Sequence, residues 1–257
     1  MKAMRSLYPM ATLGVIVLIW GLSVWAFDVP AFVLPSPLAV GKAIVNNAAI
    51  LIPALRYTLI EVVIGFTLSV LVGGAIAVAI VSSELLDRSV YPLLVALQIV
   101  PKVAIAPLFA IWFGFGMMPK VLMAFLIAFF PMVINTAMGL RGIEVSKLQL
   151  ARSMGASKLQ TFFKIRLPHA MPSIFTGLKL SITSAMIGAI VGEFIGSDEG
   201  VGRVLLIANG NLQTDLMFAA VVLLSLAGVI LFLAIEAIER VVLHWHVSQR
   251  SRDMVVA

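Results

Sequence analysis

An all-α membrane protein with six transmembrane helices is the fold class predicted here, on three observations. The 257 residues are 61% apolar and only 12% charged, whereas soluble domains run at about 45–50% apolar and about 25% charged. The apolar residues fall into runs close to the ~20 residues that span a bilayer. The Lys and Arg residues gather on alternate polar intervals, as the positive-inside rule requires.

The runs predict spans over residues 9–27, 58–81, 90–113, 120–140, 172–195 and 216–238, in one transmembrane domain covering 1–257. The first follows Lys2 and Arg5 and resembles a signal peptide. It is longer than a typical signal core, so it reads as an uncleaved span. Between the first two, Pro30, Pro35, Pro37 and Pro53 break the pattern, and Val40 to Ile52 fits an interfacial helix. Pro101 and Pro107 interrupt the third span. Gly196 to Asp215 reads as a Gly/Asn loop, and the tail from Arg240 is polar.

With the N-terminus cytoplasmic, the inner intervals hold Lys2, Arg5, Arg88, Arg141, Lys147, Arg152, Lys158, Lys164, Arg166, Arg240, Arg250 and Arg252. The outer ones hold only Lys42, Arg56, Lys120 and Arg203. Both termini are therefore expected in the cytoplasm. The formal charge of +6 is explained by topology and anionic lipid rather than by nucleic acid. Cysteine is absent, and the histidines (His169, His244, His246) are too scattered for a metal site. No phosphate-cradling G-x-x-x-x-G-K-[ST] motif occurs, so any ATP must bind another chain. No internal repeat is visible, which leaves the inverted-repeat design of many secondary transporters unsupported.

The longest polar interval, Glu144 to Pro168, sits between spans four and five. Ser146 with Gln149 and Ser157 with Gln160 both fit a capping box. Gly155 between them suits a left-handed helix end, and Pro168 is expected to close the unit. Leu148, Ala151 and Met154 read as one apolar stripe beside the basic Arg152 and Lys158. The interval is thus a short cytoplasmic helix–turn–helix.

Ala151, Gly155, Ile165, Leu167 and Pro168 match the E-A-A, G and I-x-L-P signature of permease subunits in ATP-binding cassette importers. A-P-L-F-A-I-W-F-G-F-G (Ala106 to Gly116), F-F-P-M-V-I-N-T (Phe129 to Thr136) and G-E-F-I-G-S-D-E-G-V-G (Gly192 to Gly202) extend the match. The chain resembles the nitrate/sulfonate/taurine group of that family. Gln149 stands where the signature Glu is usual, and Leu150 where its first Ala is usual.

The resemblance implies a homodimer with two ATPase subunits, which carry ATP and Mg, and an extracytoplasmic solute-binding protein. No covalent chemistry is expected on this chain. It implies that Leu148, Gln149, Leu150, Ala151, Arg152, Met154, Gly155, Ala156 and Ser157 form a coupling-helix pair that docks on the ATPase. Cargo is expected to be a small anion such as a sulfonate or nitrate, or a pyrimidine precursor of thiamine, entering across a bacterial inner membrane. An ion-coupled secondary transporter is the alternative; it would transport in liposomes holding this protein alone.

Within the membrane, Gln98 and Lys102 lie one turn apart beside Pro101, and with Ser184 are expected to line the pathway. Gly177, Ser181, Ser184, Gly188, Gly192 and Gly196 form a small-residue stripe. Such stripes let helices approach closely in lipid. Gly188, Gly192 and Gly196 are expected either to pack inside the subunit or to meet a second copy. Glu61, Lys179 and Glu193 fall near span ends, where a charge can reach water.

Overall fold

The computed structural model describes residues 2–244. Among them there is helix and no strand. Two compact units separate, one within Met1–Tyr57 and Asp198–Leu226, the other within Thr58–Ser197 and Ala227–Ala257. His246, Arg250 and Arg252 lie outside the described residues.

The first unit holds α1 (Lys2–Ala26), α2 (Pro37–Asn46), the start of α3 (Ala48–Ser82), α10 (Val201–Gly210) and the first part of α11 (Thr214–Val242). Helix α2 begins where Ser36 accepts from Ala39 N–H at 3.2 Å. Pro37 follows at the first helical position, where its missing N–H costs nothing. The helix expected over Val40–Ile52 is therefore two: α2 ends at Asn46, and α3 starts at Ala48 and runs through Pro53. Trp20 packs on Phe218 with ring centroids 5.8 Å apart, and Thr214 Oγ1 donates to Phe32 O at 2.7 Å. The expected loop after span five contains α10. That helix is only ten residues long and interrupted by glycine, so its apolar pattern was masked.

The second unit holds the rest of α3 and α11, with α4 (Glu84–Leu97), α5 (Ala106–Phe113), α6 (Met117–Arg141), α7 (Val145–Ser153), α8 (Lys158–Thr161) and α9 (Leu167–Glu193). Part of its core is Ala77 and Ile80 of α3, Leu94 of α4, and Phe130, Val133 and Ala137 of α6. Helices α6 and α9 pack antiparallel along their length. A Cβ on Gly192 would stand 2.8 Å from Lys120 Cα, and one on Gly188 2.6 Å from Ala124 Cα. Further along, a Cβ on Gly177 would stand 3.0 Å from Asn135 Cβ, and one on Gly139 2.7 Å from Ser173 Cβ. Ser181 Oγ donates to Ala128 O at 2.9 Å between them. The small-residue stripe is thus used inside the chain, on α6. The alternative of a contact between copies through Gly188 and Gly192 is corrected, because backbone already fills that face. Gly196 lies beyond the helix at φ +128°, against the Phe115 ring.

Four described helices are long and apolar enough to cross a bilayer: Ala48–Ser82, Met117–Arg141, Lys158–Glu193 and Thr214–Val242. The expected span 90–113 is instead two legs, α4 and the stretch Lys102–Phe113, bent by 86°. Proline disfavours helix at the residue before it, and Pro101 follows three residues, Gln98, Ile99 and Val100, that lie outside α4. Counting that pair as one span gives five. Helix α1 runs over Lys2–Ala26 and includes the apolar stretch Met10–Ala26. Of the six expected spans, four are thus single helices and a fifth is the bent pair.

Pro168 does not close a unit either. The helical run continues from Lys158 to Glu193, through a π-helical stretch at Phe162–Arg166. Pro168 falls inside that run, as the second residue of α9 just past the π-helical stretch.

Packing this close makes a sharp prediction. Gly188→Ala must displace the Ala124 backbone, and overpacking of this kind costs about 1–3 kcal/mol. Gly74→Ala meets nothing within 4 Å. Thermal unfolding of the purified protein should show a lowered midpoint for Gly188→Ala and none for Gly74→Ala.

Candidate functional site

The helix–turn–helix has the geometry its residues dictate at the turn. Helix α7 ends in a Schellman motif. Ala156 N–H donates to Ala151 O at 3.0 Å and Gly155 N–H to Arg152 O at 3.0 Å. This pairing needs a left-handed residue between them, and Gly155 supplies it at φ +75°. The space around Gly155 is open, so backbone conformation, not packing, is what requires glycine. Ser157 then caps α8 through a complete capping box, with Gln160 N–H to Ser157 Oγ at 3.2 Å and Ser157 N–H to Gln160 Oε1 at 2.9 Å. The matching box at Ser146 and Gln149 does not form. Glu144 is the N-cap of α7, which leaves Ser146 inside the first turn.

The faces of α7 also differ from expectation. Ala151 is buried at 5% exposure, while Leu150 and Met154 are 62% and 77% exposed. The steps from Leu148 to Ala151 to Met154 each fall about 60° short of a full turn. Met154 therefore faces away from Leu148 and lies with Leu150, its i+4 partner. The apolar stripe Leu148, Ala151 and Met154 is corrected to an inward Leu148 and Ala151 and an outward Leu150 and Met154. Gln149, Arg152, Gly155 and Ser157 are exposed and Ala156 half-buried. Lys147 pairs with Glu144 at 3.5 Å. No ion pair holds Arg152, Lys158 or Lys164 among the described residues.

The base of this unit is fixed. His169 Nε2 bonds to Gly142 O at 3.1 Å, joining the end of α6 to the start of α9. Arg141 pairs with Asp87, and its guanidinium lies 3.8 Å from the Tyr91 ring centroid.

At the bend, Lys102 Nζ donates to Gln98 O at 2.9 Å and stands 4.7 Å from the Phe130 ring centroid. The ammonium thus satisfies a carbonyl released at the end of α4 while it rests on an aromatic face. Gln98 and Lys102 come together, though through the Gln98 backbone. Among the described residues no hydrogen bond joins Ser184, half-buried on α9, to either of them.

Charges expected to reach water are instead paired. Lys179 donates to Glu239 Oε2 at 2.7 Å, 60 residues away. Lys120 Nζ lies 3.5 Å from Glu61 Oε1, and Thr58 Oγ1 donates to Glu193 Oε1 at 2.6 Å, 135 residues away. No local spacing signals such partners. The usable signal was the rule that intramembrane charges are paired.

The segment makes a prediction of its own. Gly155→Val forces a β-branched residue into a left-handed conformation, and Ser157→Ala removes a cap bond worth about 0.5–2 kcal/mol. Limited proteolysis of membranes should cut between α7 and α8 faster in both variants, and faster in Gly155→Val.

Comparison with known proteins places these features in a family. Residues 65–244 match the family described as binding-protein-dependent transport system inner membrane component. The formylaminopyrimidine transport permease protein ThiX of Halalkalibacterium halodurans is 33% identical over 249 residues, covering 96% of this chain and 99% of the relative. The riboflavin transport system permease protein RibX of Chloroflexus aurantiacus is 33% identical over 239 residues, covering 92% and 89%. Other relatives carry the names of taurine and nitrate permeases. Among solved structures, inward-facing MetNI methionine ABC transporter has a chain that superposes with a TM-score of 0.64 at 19% identity, covering 75% of this chain and 95% of that one. The chain belongs to the family of binding-protein-dependent transport system inner membrane components, as a multi-pass permease of the ABC transporter type, similar to the nitrate/sulfonate/taurine group.

Proposed function

We propose that this chain is the transmembrane subunit of an importer that moves a small solute into the cytoplasm, driven by ATP hydrolysis on partner chains. It works as a homodimer with two ATPase subunits, which bind ATP and Mg, and receives its cargo from an extracytoplasmic solute-binding protein. The chain itself carries no catalytic residue. Both termini and the helix–turn–helix face the cytoplasm, by the Lys and Arg distribution.

One observation carries the coupling role: an exposed apolar pair, Leu150 and Met154, in a segment that also exposes Arg152 and Lys158 and that leads into a span. A groove on the ATPase with apolar walls and an acidic rim complements this surface. The unit passes force on through the unbroken helical run Lys158–Glu193, which packs tightly on α6. Nucleotide-driven closure of the ATPases shifts the two permease subunits between access states only through different affinity for those states.

The cargo pathway runs past the bend. Lys102 presents a cation held in place by the Gln98 carbonyl and the Phe130 ring. A fixed cation at a break in the helix favours an anion such as a sulfonate or nitrate.

Two measurements test this reading. Leu150→Asp with Met154→Asp places charge where an apolar groove must close. Capture of the ATPase subunit should fall about tenfold or more, the effect of losing a central interface anchor, at normal membrane expression. Undiminished capture and uptake would remove the segment from coupling. Lys102→Met should lower uptake of an anionic cargo while the complex still assembles; uptake with unaltered kinetics would remove Lys102 from the pathway.

A further inference from the structure

Within the second unit, α3, α9 and α11 leave a groove between them. Phe66 and Leu71 of α3, Phe175 and Leu178 of α9, and Ile235 and Ile238 of α11 line a space of about 200 Å3. The hydroxyl of Thr67, also on the wall, donates to Val63 O at 2.7 Å. Lys179 and Glu239 follow Leu178 and Ile238 in the sequence, and they satisfy each other at 2.7 Å. The groove thus offers hydrocarbon contact. An apolar cavity of about 150 Å3 stays dry and takes benzene, so an apolar chain, not water, suits this one.

A cation lies on the same side, nearer the cytoplasm. Lys164 belongs to the helical run from Lys158 to Glu193. It precedes Phe175 by about three turns and Leu178 by about four, so the three share one side of that run. Lys164 is exposed. No acid occurs in the sequence from Val145 to Gly192, and among the described residues no ion pair holds this ammonium. Phe163 beside it is 59% exposed and Leu159, one turn back, is 70% exposed. Apolar and basic side chains side by side suit a helix at a membrane surface.

The distance between cation and groove selects the occupant. At 1.5 Å per residue, Lys164 is about 16 Å from Phe175 along the run. One leaflet contributes about 15 Å of the ~30 Å hydrocarbon core. A phospholipid whose phosphate meets Lys164 therefore reaches the groove with an acyl chain.

We propose that the groove and Lys164 form one site for an anionic phospholipid of the cytoplasmic leaflet, with its acyl chain between α3, α9 and α11 and its headgroup on the ammonium. The site rests on the cytoplasmic placement of the helix–turn–helix given above, and on neither the ATPase contact nor the solute carried. It sets a lipid against the stretch through which the helix–turn–helix enters the membrane.

The test is native mass spectrometry of the full chain, purified in its native assembly and titrated with dioleoyl phosphatidylglycerol or dioleoyl phosphatidylcholine. The wild type should hold phosphatidylglycerol about fivefold more tightly, the effect of one cation near an anionic headgroup. Lys164→Gln should bring the two lipids level. Leu71 is 65% exposed at the groove rim, so Leu71→Trp fills the groove from outside and should weaken both lipids by at least that factor. Val229→Trp, at a residue of α11 that is 55% exposed and not part of the lining, should alter neither. Thr67→Trp, at another exposed rim position, stands in if Leu71→Trp is not produced. Equal binding of the two lipids by the wild type overturns the proposal. So does a preference that survives Lys164→Gln, or retention unchanged by filling the groove. Dissociation into single copies on filling the groove would assign it to a second copy, and loss of the ATPase subunit from Lys164→Gln with lipid retention intact would assign the cation to the ATPase; either result also overturns the proposal. Undiminished ATPase capture by Leu150→Asp with Met154→Asp bears on coupling alone and leaves every lipid outcome readable.

Discussion

The close antiparallel contact of α6 with α9 is the constraint on which the rest of this structure depends. Lipid tails are as apolar as leucine, so no hydrophobic force draws two helices together inside a bilayer; van der Waals packing and interhelical hydrogen bonds must do it. Gly188 and Gly192 on α9 and Gly139 on α6 remove the Cβ atoms that would hold the backbones apart. Ser181 adds a hydrogen bond at the centre. One end of the pair carries Lys120 and Glu193. The other carries Gly142 and His169, from which the helix–turn–helix projects.

Proline acts differently according to its surroundings. Pro53, Pro92, Pro131 and Pro172 lie within helices that continue past them. At Pro101 the helix is broken and the chain turns by 86°. The difference there is a long side chain able to satisfy what the break leaves open. Lys102 reaches back to the Gln98 carbonyl, and a carbonyl left unsatisfied in a non-aqueous setting would cost several kcal/mol. The bend and its cation therefore stabilise each other.

The buried charges follow the same logic. Lys179 with Glu239 and Lys120 with Glu61 each join helices distant in sequence. Buried ion pairs contribute little net stability, because desolvation offsets attraction, yet breaking one by removing a single partner is costly. Their consequence here is register: each pair fits one alignment of its own two helices, α9 with α11 and α6 with α3.

The sequence by itself determined the membrane class, the position of the polar helix–turn–helix, the left-handed Gly155, the Ser157 capping box and the family signature. Each rests on a local pattern: apolar run length, residue spacing, or the conformation that only glycine adopts without strain. Only the tertiary structure decided that α9 spends its small residues on α6, that Met154 turns outward with Leu150 while Ala151 turns in, and that Glu61, Lys120 and Glu193 meet. The physical reason is that local patterns record what a residue can do within a turn or two. The identity of a neighbour 60 or 135 residues away is set by helix packing, which short-range periodicity does not encode.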